Sequence, residues 1–401
     1  MNALKHWDIF CKIVDNFGDI GVCWRLARQL QIEHGLQIRL WIDDLEAAQK
    51  IIPNLNLAQK SQVCEEIMIL KWQAAAKEGE ADFSQVADVV IEAFSCELPA
   101  PYLAAMAQKK SKWINLEYLS AEPWVLDFHA KPSPQHFLNS NLALTRHFYF
   151  PGFTEATGGL IRENNVVEWR DKSNNKPYKN HPSPSFPRKR EYIVNKNDRH
   201  TDISRNDGRN SVLKVSLFCY PNAPIDDLLT ALQANKNAVD VYVPACGILP
   251  KIADYFDAET IEVGDYFTRK NLNVHILPFL SQADYDQLLA DCDVNFVRGE
   301  DSWVRAIWAG KSFIWQPYFQ DENAHIKKLN AFLDLFYANL NAKDIVCEVH
   351  RCWSVGQLPK HVWSTYLQQL LAISSYTLQQ SQQLAKQQDL AAKLVIFCNK
   401  I

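Results

Sequence analysis

Acidic side chains stand at two places where an apolar run gives way to a helical pattern. One is DNFGD at 15–19, behind the run 7–14; the other is RGEDS at 298–302, behind the run 292–297. A strand, a tight turn and a helix start together make an anion site, because unpaired N–H groups point outward and the helix dipole favours negative charge. In the second turn Asp301 and Ser302 are N-cap residue types, Val304, Ile307 and Trp308 recur at helical spacing, and Gly310 stops the helix. Glu300 is out of place in a site for phosphate alone. The pattern suits a turn that holds a pyrophosphate while the carboxylate faces a cation, although an ordinary strand-to-helix turn would also read this way. The first turn lacks GxGxxG, and two carboxylates four residues apart would repel a phosphate. Asp15 and Asp19 therefore suit a cationic ligand, a metal or general-base work. Turn and capping roles account equally well for Asp15. A metal is disfavoured, since no His, Cys or third carboxylate lies at ligand spacing.

The elements that must position these acids alternate. Strand patterns fall at 7–14, 37–42, 67–70, 86–92, 112–116 and 143–150, with a helix over 20–30 that Gly35 ends. Order of this kind predicts a parallel sheet with ligands at the carboxyl ends of its strands. Two polar segments border it: Glu117, Tyr118 and Ser120 in a turn, and a Gly- and Thr-rich loop over 151–159. Either could shape an acceptor site, with plain loop architecture as the default. Residues 171–212 then change character, with ten basic against five acidic residues and few aliphatics. Such a stretch cannot bury enough surface to fold alone, so it reads as a flexible basic insert between domains. Strands follow at 213–220, 239–243, 274–277 and 294–297, with helices at 224–234, 283–291 and 321–336. Residues 363–401 are Gln- and Leu-rich and helical, and could cross back to the first domain.

Composition narrows the class. The 401 residues imply two or three domains, and a net charge of −4 argues against a general nucleic-acid binder. No window of about 18 apolar residues could span a membrane, and the N-terminus lacks the pattern of a signal peptide. Ten cysteines without CxxC or His pairing read as reduced, buried thiols, which points to a cytoplasmic protein.

Two α/β halves would form a cleft with Asp15 and Asp19 on one wall, and Phe218, Tyr220, Phe279, Gln282 and the 298–302 turn on the other. Aromatics there could stack a base and the Gln282 amide could read its edge; each aromatic could instead be core, and for Phe218 taken singly core is the better reading. DNFGD at 15–19, LPFLSQADYDQLL at 277–289 and NFVRGEDSWVRAIWAGKSFIWQPY at 295–318 together resemble the EarP family, the protein-arginine rhamnosyltransferases of bacterial translation elongation factor P. The resemblance spans nearly the whole chain outside the insert. It implies a GT-B glycosyltransferase fold with two Rossmann-like domains facing each other across a cleft. The acceptor domain would be 1–170 and the donor domain 213–360, with 361–401 packing back on the first. The implied reaction is an inverting, metal-independent transfer of L-rhamnose from dTDP-β-L-rhamnose to an arginine nitrogen of elongation factor P, activating that factor for ribosomes stalled at polyproline. By motif, Asp19, Asp15 and Glu300 would be the functional acids. Phe218, Tyr220, Phe279, Gln282, Arg298, Asp301, Ser302 and Tyr318 would bind the donor. Alternatives are a GT-B enzyme with a lipid or sugar acceptor, for which no basic apolar patch is found, and a non-catalytic nucleotide-sugar-binding module. Deleting 171–212 is expected to leave transfer largely intact; loss of activity in a deletion that still folds would refute the linker reading.

Overall fold

The computed structural model describes residues 4–15, 17–52, 54–73, 85–136, 143–164, 166, 190–193 and 212–401. They fall into two units, one of Met1–Val167 with Gln382–Ile401, the other of Glu168–Ser381.

The first unit is built on β1 (His6–Cys11), a strand buried from its second residue on. It lies between β2 (Gln37–Ile42) and β5 (Val89–Ala93), parallel to both. Burial on both faces is why these strands read as continuous apolar runs instead of alternating ones. β4 (Ile67–Lys71) continues the parallel sheet beyond β2, and β6 (Lys112–Leu116) and β8 (Ala143–Tyr149) continue it beyond β5. Two antiparallel strands, β3 (Ser61–Cys64) and β7 (Pro132–His136), close the edges, giving the order β3-β4-β2-β1-β5-β6-β8-β7. Both edge strands escape a sequence reading because each is short and carries little apolar alternation.

The second unit repeats the plan around β10 (Leu213–Leu217). β11 (Val239–Pro244) and β13 (Leu272–Leu277) lie on one side; β14 (Val294–Arg298) and β15 (Ser312–Gln316) lie on the other, all parallel. β12 (Asp265–Arg269) runs antiparallel to β13, and β9 (Arg190–Ile193) adds alongside it, for the order β15-β14-β10-β11-β13-β12-β9. β9 lies inside the stretch read as a flexible insert, so these four residues belong to the sheet; apart from them and Val212, that stretch lies outside the described residues.

In both sheets the chain reverses its direction of winding at a central strand, β1 in the first unit and β10 in the second. The reversal falls between β1 and β5 in the first unit and between β10 and β14 in the second. Loops leaving those neighbouring strands part in opposite directions and open a crevice at their carboxyl ends, the usual ligand position of open α/β sheets.

The C-terminal stretch is three helices, Lys360–Gln368, Leu370–Leu384 and Leu390–Lys400, and only residues from Gln382 onward join the first unit. Their seat there is the 151–159 loop. Lys393 Nζ donates to the carbonyls of Glu155 (3.0 Å) and Thr157 (2.9 Å), Gln387 Nε2 to Phe153 O (3.2 Å), and Leu390 N to Leu160 O (2.9 Å). The Gly- and Thr-rich composition thus serves close backbone approach to the last helix. At Gly159, φ is +76° and a Cβ would lie 2.7 Å from the Gln388 carbonyl oxygen. Gly159→Ala is therefore expected to destabilise the fold by about 1–3 kcal/mol, read as a lowered thermal midpoint.

Candidate active site

In the first unit the acids sit at the carboxyl end of β1. The helix Gly18–His34 starts directly after them, with Phe17 as N-cap and no side-chain cap. The Asp15 carbonyl accepts from Gly18 N (2.7 Å), and its carboxylate lies so near the helix start that a Cβ on Gly18 would meet Asp15 Oδ2 at 2.8 Å. Only glycine leaves room for the acid there.

Asp19, 2% exposed, turns its carboxylate back over the same loop. Oδ2 accepts the backbone N–H groups of Val14 (2.8 Å) and Asp15 (2.9 Å), and Oδ1 accepts the Tyr118 hydroxyl (3.2 Å). Burial pushes the Asp19 carboxyl above its ordinary value. The two N–H donors and the phenol oppose that shift, and the Asp15 charge adds to it. The result is an oriented carboxylate with raised proton affinity beside a second acid at the sheet's switch point. Such a group suits proton abstraction or the grip of a cation.

Neighbouring strand ends complete this half. Glu117 follows β6; its Oε1 accepts from Asn115 Nδ2 (2.6 Å) and Ser95 Oγ (3.2 Å), and burial raises its carboxyl as well. Phe94 follows β5 and stacks on Tyr118, with ring centroids 4.3 Å apart and planes at 12°. The sequence flagged the Glu117–Tyr118 turn but not Phe94, since nothing in the order of residues says which aromatic will face the acids.

The second unit gathers its residues at the carboxyl ends of β10, β13, β14 and β15. Arg298, the last residue of β14, lies over both Phe218 (4.8 Å to the ring centroid) and Tyr220 (4.6 Å). Tyr318, beyond β15 and 44% exposed, meets Tyr220 edge to face at 5.9 Å. Gln316, which the sequence reading passed over, braces this group. Its Oε1 accepts from Tyr220 N (2.9 Å) and its Nε2 donates to Asn222 Oδ1 (3.0 Å). A Gln ending an otherwise apolar strand was the available signal.

The turn itself differs from expectation in detail. Glu300, not Asp301 or Ser302, is the N-cap of the helix Asp301–Ala309, and it makes no side-chain cap. Ser302 bends back instead: its Oγ accepts from Arg298 N (3.0 Å) and donates to the Arg298 carbonyl, closing the turn. Gln282 begins the helix Gln282–Asp291 and donates to Asp301 Oδ2 (3.4 Å), while Phe279 is half-buried in the loop before it. The two helices are clamped by the buried Arg305, which forks onto Asp286 at 2.9 and 2.6 Å. Helix N-terminal N–H groups and a guanidinium over two rings stand beside the Glu300 and Asp301 carboxylates, a set of groups that can hold an anion and a cation side by side.

Comparisons with known proteins bear on the family and the fold. The family profile described as Elongation-Factor P (EF-P) rhamnosyltransferase EarP matches residues 7–399. A protein-arginine rhamnosyltransferase of Pseudomonas aeruginosa is 39% identical over 399 residues, covering 98% of this chain and 99% of its own length. One from Neisseria meningitidis is 35% identical over 374 residues, covering 88% and 89%. A solved structure described as the basis for EarP-mediated arginine glycosylation of translation elongation factor EF-P aligns with a TM-score of 0.63 at 28% identity, over 98% of this chain and 99% of that one. A UDP-glucose:anthocyanidin 3-O-glucosyltransferase bound to UDP reaches 0.50 at 12% identity over the whole of both chains, a likeness of fold alone. The fold is that of the GT-B glycosyltransferases. Because Lys cannot spread a planar cation over two rings, Arg298→Lys is expected to weaken nucleoside diphosphate binding roughly tenfold in a titration, with the fold unchanged.

Proposed function

Because the chain belongs to the EarP family of elongation factor P rhamnosyltransferases, whose profile spans residues 7–399, we propose that it moves L-rhamnose from dTDP-β-L-rhamnose to an arginine guanidinium nitrogen of elongation factor P. The observation that carries the chemistry is the Asp19 carboxylate, buried, hydrogen-bonded on both oxygens and raised in proton affinity.

An arginine side chain is protonated at neutral pH and is a poor nucleophile. Carboxylates can grip its guanidinium through paired hydrogen bonds and aim one nitrogen at the anomeric carbon. As the new C–N bond forms, the bond from the anomeric carbon to the diphosphate oxygen breaks, and the attacking nitrogen becomes acidic enough to release its proton to Asp19. Asp15 and Glu300 orient and stabilise the cation. The departing diphosphate keeps the bonding electron pair, and its charge is met by Arg298, the helix N-terminus at Asp301–Ser302 and Tyr318. Phe218, Tyr220, Phe279 and Gln282 hold the base and sugar. A single displacement inverts the anomeric centre from β to α. All ten cysteines are free thiols, eight of them buried and Cys246 and Cys352 partly buried, which supports a reducing, cytoplasmic setting.

Mass spectrometry of elongation factor P after incubation with the enzyme and dTDP-L-rhamnose is expected to show one added deoxyhexose on an arginine; folded components with no mass gain would refute the assignment. Asp19→Asn is expected to lower turnover by roughly 10²–10⁴-fold while the donor still binds. A carboxyl whose folded-state value is raised costs stability once it ionises, a cost that grows as pH rises through that value. The thermal midpoint of Asp19→Asn at neutral pH should therefore stand at or above that of the parent, and a large drop would count against the burial argument.

A further inference from the structure

The loop after β5 is held in an uncommon shape. Phe94, Ser95 and Glu97 all have left-handed backbones, with φ of 57°, 54° and 61°, and none is glycine. Conformations of that kind cost energy and persist only where surroundings impose them. Here Phe94 N donates to Leu116 O (2.7 Å), Ser95 N to Asn115 Oδ1 (3.3 Å), and Glu97 N to Glu92 Oε1 (3.0 Å). Glu92 is itself buried and accepts the Trp113 indole N–H at 3.0 Å. What this loop presents is the Phe94 ring, lying flat on Tyr118 at the one place where the Tyr118 hydroxyl meets Asp19.

We infer that Tyr118 is a positioning residue of the transfer: its hydroxyl, carried on a ring clamped against Phe94, fixes the Asp19 carboxylate in the orientation that receives the guanidinium proton. This rests on the reading of Asp19 as the base. The two backbone donors both occupy Oδ2, so they leave the carboxylate free to rock about that oxygen; the phenol is the contact that restrains Oδ1. A stacked ring has little freedom left, so the donor stays at its post without cost at each turnover. Titratable groups near Asp19 among the described residues include Asp15 on its own loop, Tyr118 just beyond β6, and Cys11 at the end of β1. Cys11, through its hydrogen bond with Cys23 and its burial, keeps its proton and stays neutral. Tyr118 is thus the member of this set that lowers the proton affinity of Asp19 through a side chain, while the Asp15 charge raises it.

The test is Tyr118→Phe, which keeps the stack and removes only the hydroxyl. The expected result is a roughly 10- to 100-fold fall in kcat at neutral pH, with KM for donor and acceptor nearly unchanged. The acid limb of the kcat/KM profile should move up by roughly one pH unit, because the carboxylate loses a donor that favours its charged form. Titration of the Asp19 carboxyl by carbon NMR in the free enzyme should move upward with it. A carboxyl titration that does not move overturns the contact. A carboxyl that moves while kcat and the limb stay put overturns the positioning role. Asp19→Asn then locates the fault, since an active Asp19→Asn enzyme means that Asp19 is not the base, and an inactive one that Tyr118 is dispensable to it. A loss confined to KM, with the limb unmoved, also overturns it. Should Tyr118→Phe not fold, Phe94→Leu is the second variant. It leaves the hydroxyl in place and loosens its platform, and must lower kcat and raise the limb in the same sense, by less, for the inference to stand.

Discussion

Everything at the two half-sites depends on a parallel strand having neighbours on both sides. From β1 and from β10 the parallel sheet grows first one way and later the other, so each is flanked by strands added from opposite directions. Right-handed crossovers put the connecting helices on opposite faces, and the loops at the reversal separate. Asp15 and Asp19 leave one such point and Phe94 the next strand over. Phe218 and Tyr220 leave the other, with Arg298, Glu300, Asp301 and Ser302 beside them. Within each unit the backbone thereby brings helix N-termini and side chains from separate stretches of sequence to the carboxyl edge of its own sheet.

Holding those edges still falls to a few buried polar contacts. Arg305 on Asp286 joins the helices that begin at Gln282 and Asp301, and a bidentate pair in a buried setting fixes their mutual rotation more tightly than apolar packing would. Trp303 behind it stacks on Trp315 with centroids at 3.6 Å and meets Phe332 edge-on, so the helix carrying Glu300 and Asp301 is anchored to β15 and to the helix Ala324–Phe336. In the first unit the same task is done at lower density, by Gly18 making room for Asp15 and by the loop over 94–97. That loop spends conformational energy to aim an aromatic ring. The raised Asp19 carboxyl belongs with these: a folded protein gains nothing in stability from a desolvated charge, and keeps one where chemistry needs it.

Legibility followed the physics of each element. Buried parallel strands such as β1, β2, β6 and β14 announce themselves because most of their residues are apolar, with single polar residues such as Asp8, Asn115 and Asn295 buried among them, and the helix after Gly299 because Val304, Ile307 and Trp308 share a face. β3, β7 and β9 did not, since an edge strand takes its stability from a partner that the local sequence does not contain. The caps misled for a related reason. Ser302 has the right type for an N-cap, but its hydroxyl found the Arg298 carbonyl and N–H first, and Glu300 took the cap position by backbone conformation alone. The 151–159 loop read as a possible acceptor wall and is the cradle of the C-terminal helix, a contact 230 or so residues away along the chain.

The sequence by itself determined that two α/β halves exist, that acids end a strand in one and an arginine–acid turn ends a strand in the other, and which family carries those motifs, because strand burial and turn chemistry are written in residue types at short range. Only the tertiary structure decided what each acid touches. That Asp19 hangs from Val14, Asp15 and Tyr118, that Tyr118 is braced by Phe94, and that Arg298 spreads over Phe218 and Tyr220 are long-range facts. They arise from which strands become neighbours, and neighbourhood in a sheet is set by winding order, which no local pattern encodes.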